Sequence, residues 1–265
     1  MANRDENRYG NPRITLQVSN SGQDRPHVQS ARLLSAMPNS ILSDIQAVVF
    51  DAVGTVMYPN PSVAEAYCAA MTRFCHVDIP ANTVSAAVRD ALQGRASGDL
   101  ATSEAAERDF WAGLIQDLAG ESSGFQDCFD HLFAHFADAA NWRCFPETEE
   151  TIDGLHSAGL RTAIASNFDL RLNSVCDGLP GLKDVPHRVI SSVVGWRKPD
   201  VRFFEAVCRH LELRPQQVLF VGDDLVNDVE GSLTAGMKSV WLCRNGDTLQ
   251  APEGATVVAT LTDLI

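Results

Sequence analysis

The chain is predicted to be an α/β protein: a doubly wound parallel sheet with an all-helical segment inserted after its first strand. Three observations predict this. Short apolar, β-branched runs alternate with helical patterns through the last half of the 265 residues, the signature of strands joined by crossover helices. Between residues 60 and 141 such runs vanish and apolar residues recur at helical spacing instead. The first strand, Ala47-Val48-Val49-Phe50, ends abruptly in Asp51, and Gly54-Thr55 then turns the chain. The predicted organisation is a polar tail over 1–43, expected to be flexible, an α/β core over 44–59 plus 142–265, and a helical cap over 60–141.

Taken in order, residues 1–43 are rich in Asn, Arg, Ser and Gln, and only Ile14 to Val18 could pair as a short strand. After Asp51, Tyr58-Pro59-Asn60-Pro61 is loop chemistry and Ser62 can cap a helix. About four helices follow, separated near Asp78-Ile79-Pro80, Gly94 to Asp99, and Gly120 to Gly124. A helix over Thr148–Ser157 leads into the strand Leu160–Ala165, which closes on Ser166-Asn167. A short strand is expected over Val189–Val194, then Lys198-Pro199-Asp200 and a helix over Val201–Leu211. The strand Val218–Gly222 closes on Asp223-Asp224, a helix spans about Asn227–Ala235, and two more strands fall at Ser239–Cys243 and Ala255–Ala259.

Composition bounds the function. Apolar residues make up 45% of the chain, enough for a sizeable core, and no run approaches the roughly eighteen residues of a membrane helix. A net charge of −13 excludes the basic stripe that nucleic acid requires. The seven cysteines are scattered without a Cys-x-x-Cys pair, which indicates neither a disulfide framework nor a zinc site. The charged start, with no apolar run behind it, does not read as a secretory signal, so a cytoplasmic location is expected. The negative field mildly repels phosphorylated ligands, so an anion site here must gain its affinity locally, from a metal ion, a lysine or backbone N–H groups.

The strand ends carry the chemistry. In a parallel sheet they share one edge, so Asp51, Ser166-Asn167 and Asp223-Asp224 converge there, with Lys198 and Asp228 within reach. An ionised carboxylate can attack phosphorus or an electrophilic carbon and form a covalent intermediate. A phosphate would repel it unless its charge is neutralised, which a Mg²⁺ ion held by carboxylates and a lysine can do. Ser166 and Asn167 can donate hydrogen bonds to developing negative oxygens.

At these residues the chain resembles the haloacid dehalogenase-like hydrolase superfamily. Four motifs stand in order: Asp51-Ala52-Val53-Gly54-Thr55, Ser166-Asn167, Lys198-Pro199-Asp200, and Gly222-Asp223-Asp224-Leu225-Val226-Asn227-Asp228. The wording around Ser166 to Leu172 and Asp228 to Met237 is similar to the branch with a helical cap after the first motif, and within it to the REG-2-like group. The resemblance implies a sheet order of 5-4-1-2-3. It implies that Asp51 is nucleophile and metal ligand, that Lys198 balances charge, and that Ser166, Asn167, Gly54 and Thr55 bind substrate. The implied cofactor is Mg²⁺, held by Asp51, the Val53 carbonyl and Asp223, with Asp224 or Asp228 in support. The implied substrate is a small phosphorylated molecule.

One residue departs from the pattern. The family's phosphatases carry a second Asp two residues after the nucleophile, which protonates the leaving group, and here Val53 stands in its place. General acid–base help is worth about 10²–10⁴-fold, so turnover of alkyl phosphates is expected to be weakened. A leaving group that needs no proton, or a cap histidine (His76, His131 or His135), would compensate. Two alternatives stand beside the phosphatase: a metal-independent 2-haloacid dehalogenase-type hydrolase, or an impaired member acting as a binding or regulatory protein. Three clustered acids without a cation would repel one another, which favours the metal site over the dehalogenase.

Overall fold

The structure, a computed structural model, describes residues 41–96, 98–244 and 251–265. The predicted tail over 1–43, with its candidate strand, lies outside these except for its last three residues. Eight strands and nine α-helices follow in order among the described residues: β1 (Ala47–Phe50), β2 (Met57–Pro59), α1 (Val63–Ala70), α2 (Ala81–Arg95), α3 (Glu104–Ala119), α4 (Phe125–His135), β3 (Trp142–Cys144), α5 (Thr148–Ser157), β4 (Arg161–Ser166), α6 (Arg171–Gly178), β5 (His187–Ile190), α7 (Ser191–Val194), α8 (Val201–Leu211), β6 (Val218–Gly222), α9 (Gly231–Thr234), β7 (Lys238–Leu242) and β8 (Ala255–Val258).

Six strands form one sheet in the order β5-β4-β1-β6-β7-β8, every pair parallel. Counted along the chain without the short β2 and β3, this is the expected 5-4-1-2-3 order with a sixth strand, β8, added at one edge. The chain runs outward from β1 in both directions, so the crevice opens beyond the end of β1.

The continuous apolar strands have a reason. β1 is buried at all four positions, and its side chains alternate between two cores. Val48 and Phe50 pack with Ile152, Leu155, Leu172 and Val175 of α5 and α6. Ala47 and Val49 pack with Phe203, Phe204 and Val207 of α8. A strand covered on both faces has no polar side to show, so it reads as an unbroken apolar run.

Between β2 and β3 the chain is helical, as the spacing predicts. β2 and β3 pair antiparallel, Met57 opposite Cys144 and Pro59 opposite Trp142, and the Asn60 N–H donates to the Asn141 carbonyl at 2.8 Å. The insertion thus leaves and returns through one two-stranded stem. Ser62 caps α1 with Glu65 in a reciprocal capping box, and α1 to α4 close around their own cluster of Tyr67, Met71, Ile115, Phe129 and Leu132.

Two expectations are corrected. The strand predicted over Val189–Val194 ends at Ile190 and gives way to the helical turn α7. Its neighbour β4 ends at Ser166, opposite Ile190, so the next residues have no ladder partner. The Ser191 hydroxyl donates instead to the Phe168 carbonyl at 3.1 Å. The helix predicted from Asn227 begins earlier, as a wide turn over Leu225–Glu230, and tightens to α9 only from Gly231.

Candidate active site

β1 carries Asp51 to the sheet edge, and the Asp51 N–H donates to the Val221 carbonyl at 2.9 Å, prolonging the β1–β6 ladder by one residue. The carboxylate is 8% exposed. Its Oδ1 accepts from Ser166 Oγ at 3.0 Å and from Lys198 Nζ at 2.6 Å. Lys198 also donates to Asp228 Oδ1 at 2.6 Å and to the Ala165 carbonyl at 3.2 Å, so its three donors are all used. Four residues from four separate segments thus meet at one point.

The backbone of Lys198 is clamped. Asn167 Oδ1 accepts its N–H at 2.8 Å, and Asn167 Nδ2 donates to its carbonyl at 3.1 Å. Asn167, expected to bind substrate, therefore spends its amide on positioning the lysine. The expected substrate donors of the Asp51 turn are committed in the same way. The Gly54 N–H donates to the Met57 carbonyl at 2.9 Å, and Thr55 Oγ1 donates to Asp223 Oδ1 at 3.0 Å. Gly54 has φ +91°, and a Cβ there would meet Asp223 Oδ2 at 2.3 Å, so only glycine lets the turn and this acid approach so closely.

The acids divide their work. Ligand oxygens of Asp51, Asp223 and Asp228 lie within 4.8 Å of one another. Asp224 stands apart and caps the following turn: its Oδ1 accepts the N–H groups of Val226 and Asn227, each at 2.9 Å, and its Oδ2 accepts Asn227 Nδ2 at 2.8 Å. Of the two candidates for the supporting acid, Asp228 is the one that clusters with Asp51 and Asp223. Gly222 makes room for it, since a Cβ there would lie 2.2 Å from Asp228 Oδ2.

Electrostatics sharpen the picture. Burial pushes the Asp228 carboxyl up to about 8, with the Lys198 charge opposing it. Burial, and then the Asp51 charge, push Asp223 up to about 6. Burial alone would lower Lys198, but the Asp228 and Asp51 carboxylates outweigh it and raise it above its ordinary value. One ammonium faces three acids, an excess of negative charge that a divalent cation would relieve. Ser166 and Lys198 bond Asp51 through Oδ1 and Thr55 bonds Asp223 through Oδ1, which leaves each acid's Oδ2 without a donor among the described side chains. The donor set fits Mg²⁺, a hard cation that takes a few carboxylate oxygens and keeps the rest of its shell for water and substrate.

The match of family to chain is direct. The family model for haloacid dehalogenase-like hydrolases covers residues 45–236. The chain belongs to that family. It is similar to haloacid dehalogenase-like hydrolase domain-containing protein 3 of Homo sapiens, 31% identical over 138 residues, which cover 50% of this chain and 55% of the relative. It is also similar to a glyceraldehyde 3-phosphate phosphatase of Methanothermobacter thermautotrophicus, 26% identical over 137 residues, covering 48% and 57%. The chain thus spans about half the length of these curated relatives. In fold it resembles the L-2-haloacid dehalogenase of Xanthobacter autotrophicus, with a TM-score of 0.64 and 22% identity over 83% of this chain and 96% of that one.

In this haloacid dehalogenase-like hydrolase, Val53 is 38% exposed two residues after Asp51, and its isopropyl group offers no proton. The cap histidines do not replace it. His131 lies tilted against Phe74 and His135 meets Phe136 edge-on, His76 is an exposed residue just after the first cap helix, and none of the three hydrogen-bonds to Asp51, Ser166 or Lys198. Sequence reasoning missed two further residues. Arg244 donates to the carbonyls of Gly54 at 3.3 Å and Thr55 at 2.7 Å while paired with Glu147, and so braces the turn after Asp51. Arg197 donates to the buried Glu107 of α3 at 2.9 Å. Adjacency to Lys198 is the one sequence signal that could have found Arg197; nothing in the sequence pointed to Arg244.

Proposed function

We propose that the chain is a Mg²⁺-dependent phosphatase that forms an aspartyl intermediate on a small phosphorylated metabolite. The observation that carries this reading is the pairing of Asp51 Oδ1 with Ser166 and Lys198, which leaves Asp51 Oδ2 free beside an acid triad. Ser166 and Lys198 fix the carboxylate's orientation, so its free oxygen is aimed before substrate arrives. Lys198 holds its protons and offsets charge on nucleophile and phosphoryl group alike. Asp51, Asp223 and the Val53 carbonyl would hold the Mg²⁺, with Asp228 acting through Lys198. When bound, the ion supplies charge neutralisation to the transferring phosphoryl oxygens. A phosphatase among the relatives supports this chemistry.

The helices α1 to α4, over about 60–141, act as the cap that closes the crevice. Val53 makes turnover of unactivated esters weak. No helix among the described residues is long and apolar enough to cross a membrane. The test is a panel of p-nitrophenyl phosphate, acetyl phosphate and 2-haloacids, with and without Mg²⁺. Phosphate release that needs Mg²⁺ and is lost in Asp51→Asn is the expected result. Halide release without metal would replace this reading with the dehalogenase one.

A further inference from the structure

Resting on the phosphatase reading, we propose that the substrates are acyl phosphates with an apolar acyl group, mixed anhydrides whose carboxylate leaves without a proton. Two independent observations carry this: the groups able to donate a proton around Asp51, and an apolar cavity lined by Asp224, the chain neighbour of Asp223.

The donors come first. Val53, two residues from Asp51, is an exposed isopropyl group. The three N–H bonds of Lys198 are spent on Asp51, Asp228 and the Ala165 carbonyl. Asp223 and Asp228 belong to the cation set. A cavity of about 640 Å³ opens between α1, α2 and the turn after β6, and one of its walls is Asp224, the residue next to Asp223. Its described lining contains no His, Glu, Lys, Tyr or Cys. The two charged groups there are Arg89, whose guanidinium keeps its proton, and Asp224, whose oxygens are both occupied by its capping bonds.

The cavity then says what the leaving group is. Val63, Ala64, Val88, Leu92, Ala96 and Val226 make most of its wall apolar. Such a surface suits a hydrocarbon or aromatic body and leaves the multiple hydroxyls of a sugar unpaired.

The chemistry follows from leaving-group acidity. An alkoxide is as basic as hydroxide, its conjugate acid near about 16, whereas a carboxylic acid sits near about 4. A general acid is worth about 10²–10⁴-fold to the first and almost nothing to the second. Asp51 attacks phosphorus, the bond from phosphorus to the acyl oxygen breaks, and the electron pair leaves on RCOO⁻. The phosphoaspartate is itself an acyl phosphate. Water attacks it, the bond from phosphorus to Asp51 breaks, and both water protons end on the released phosphate. The balance is RCOOPO₃²⁻ + H₂O → RCOO⁻ + H₂PO₄⁻, with no proton donated by the protein. No base activates that water, so the second step limits turnover and the phosphoenzyme accumulates.

The experiment uses the full chain with Mg²⁺ and four substrates that share one ring: benzoyl, p-nitrophenyl, phenyl and benzyl phosphate. The expected kcat/KM falls in that order, by at least about 100-fold from benzoyl to benzyl. Benzoyl phosphate gives a stoichiometric burst and a phosphoryl mass increment that Asp51→Asn lacks. Val53→Asp flattens the series by speeding the benzyl ester most. Equal kcat/KM values for benzoyl and benzyl phosphate would overturn this inference and leave the phosphatase reading standing. No turnover and no phosphoenzyme with any of the four would overturn the phosphatase reading itself.

Discussion

Lys198 shows how much one side chain can organise. It is 2% exposed and joins Asp51 to Asp228 at 2.6 Å each. A buried pair stripped of one partner leaves an uncompensated charge and typically costs about 3–5 kcal/mol. Lys198→Met is therefore expected to lose both activity and roughly that much stability in urea denaturation, whereas a purely catalytic lysine would lose activity alone. The two adjacent acids separate just as cleanly. Asp224→Ala removes a cap worth about 1 kcal/mol and leaves Mg²⁺ affinity within a few-fold. Asp223→Ala removes a free ligand oxygen and is expected to abolish Mg²⁺ binding in calorimetric titration. Loss of Mg²⁺ binding in Asp224→Ala would mean that its capping bonds break when the ion arrives.

At the scale of elements, the helical insertion meets the sheet at a second place besides its β2–β3 stem. The Thr102 N–H donates to the Gly195 carbonyl at 3.0 Å and the Arg197 N–H to the Leu100 carbonyl at 2.9 Å. Behind them Glu107 accepts from Arg95 at 2.8 Å through both oxygens, from Thr102 at 2.6 Å and from Arg197 at 2.9 Å. Burial alone would raise the Glu107 carboxyl, but the hydrogen bonds from Arg95 and Thr102 and the charges of Arg197 and Arg95 outweigh it and hold it below its ordinary value. A carboxyl depressed in the folded state contributes stability that is complete above its unfolded value of 4.5 and is lost as pH falls through its folded value. Glu107→Gln is expected to lower stability at neutral pH by about 3 kcal/mol and to flatten the acid limb of a stability–pH curve. An unchanged acid limb would place the titrating group elsewhere.

For the whole molecule, a net charge of −13 sets the long-range field. The phosphorylated substrate proposed above would approach against that field and bind where Lys198 and a bound cation reverse it locally. Added salt screens the repulsion, since the Debye length shrinks to about 8 Å at 0.15 M. The expected result is a kcat/KM that rises with ionic strength up to physiological values, measured in stopped-flow or steady-state assays with an inert salt. A falling value would show that a positive patch steers the substrate despite the net charge.

The sequence by itself determined the sheet, the helical insertion and the four segments that meet at Asp51. These are written locally: apolar runs of strand length, helical spacing, and polar residues at strand ends. It also placed Val53 beside the nucleophile, because a chain neighbour cannot be elsewhere. Only the tertiary structure decided which polar groups face the substrate and which hold the protein together. Asn167, Thr55 and Asp224 read as site residues, yet each spends its hydrogen bonds on a neighbour. Arg244 and Glu107 carry no signal in the sequence, yet they brace the turn after Asp51 and the helical insertion. The physical reason is the same in each case. A hydrogen bond is settled by distances of a few tenths of an ångström between segments far apart in the chain, and no pattern along one segment carries that information.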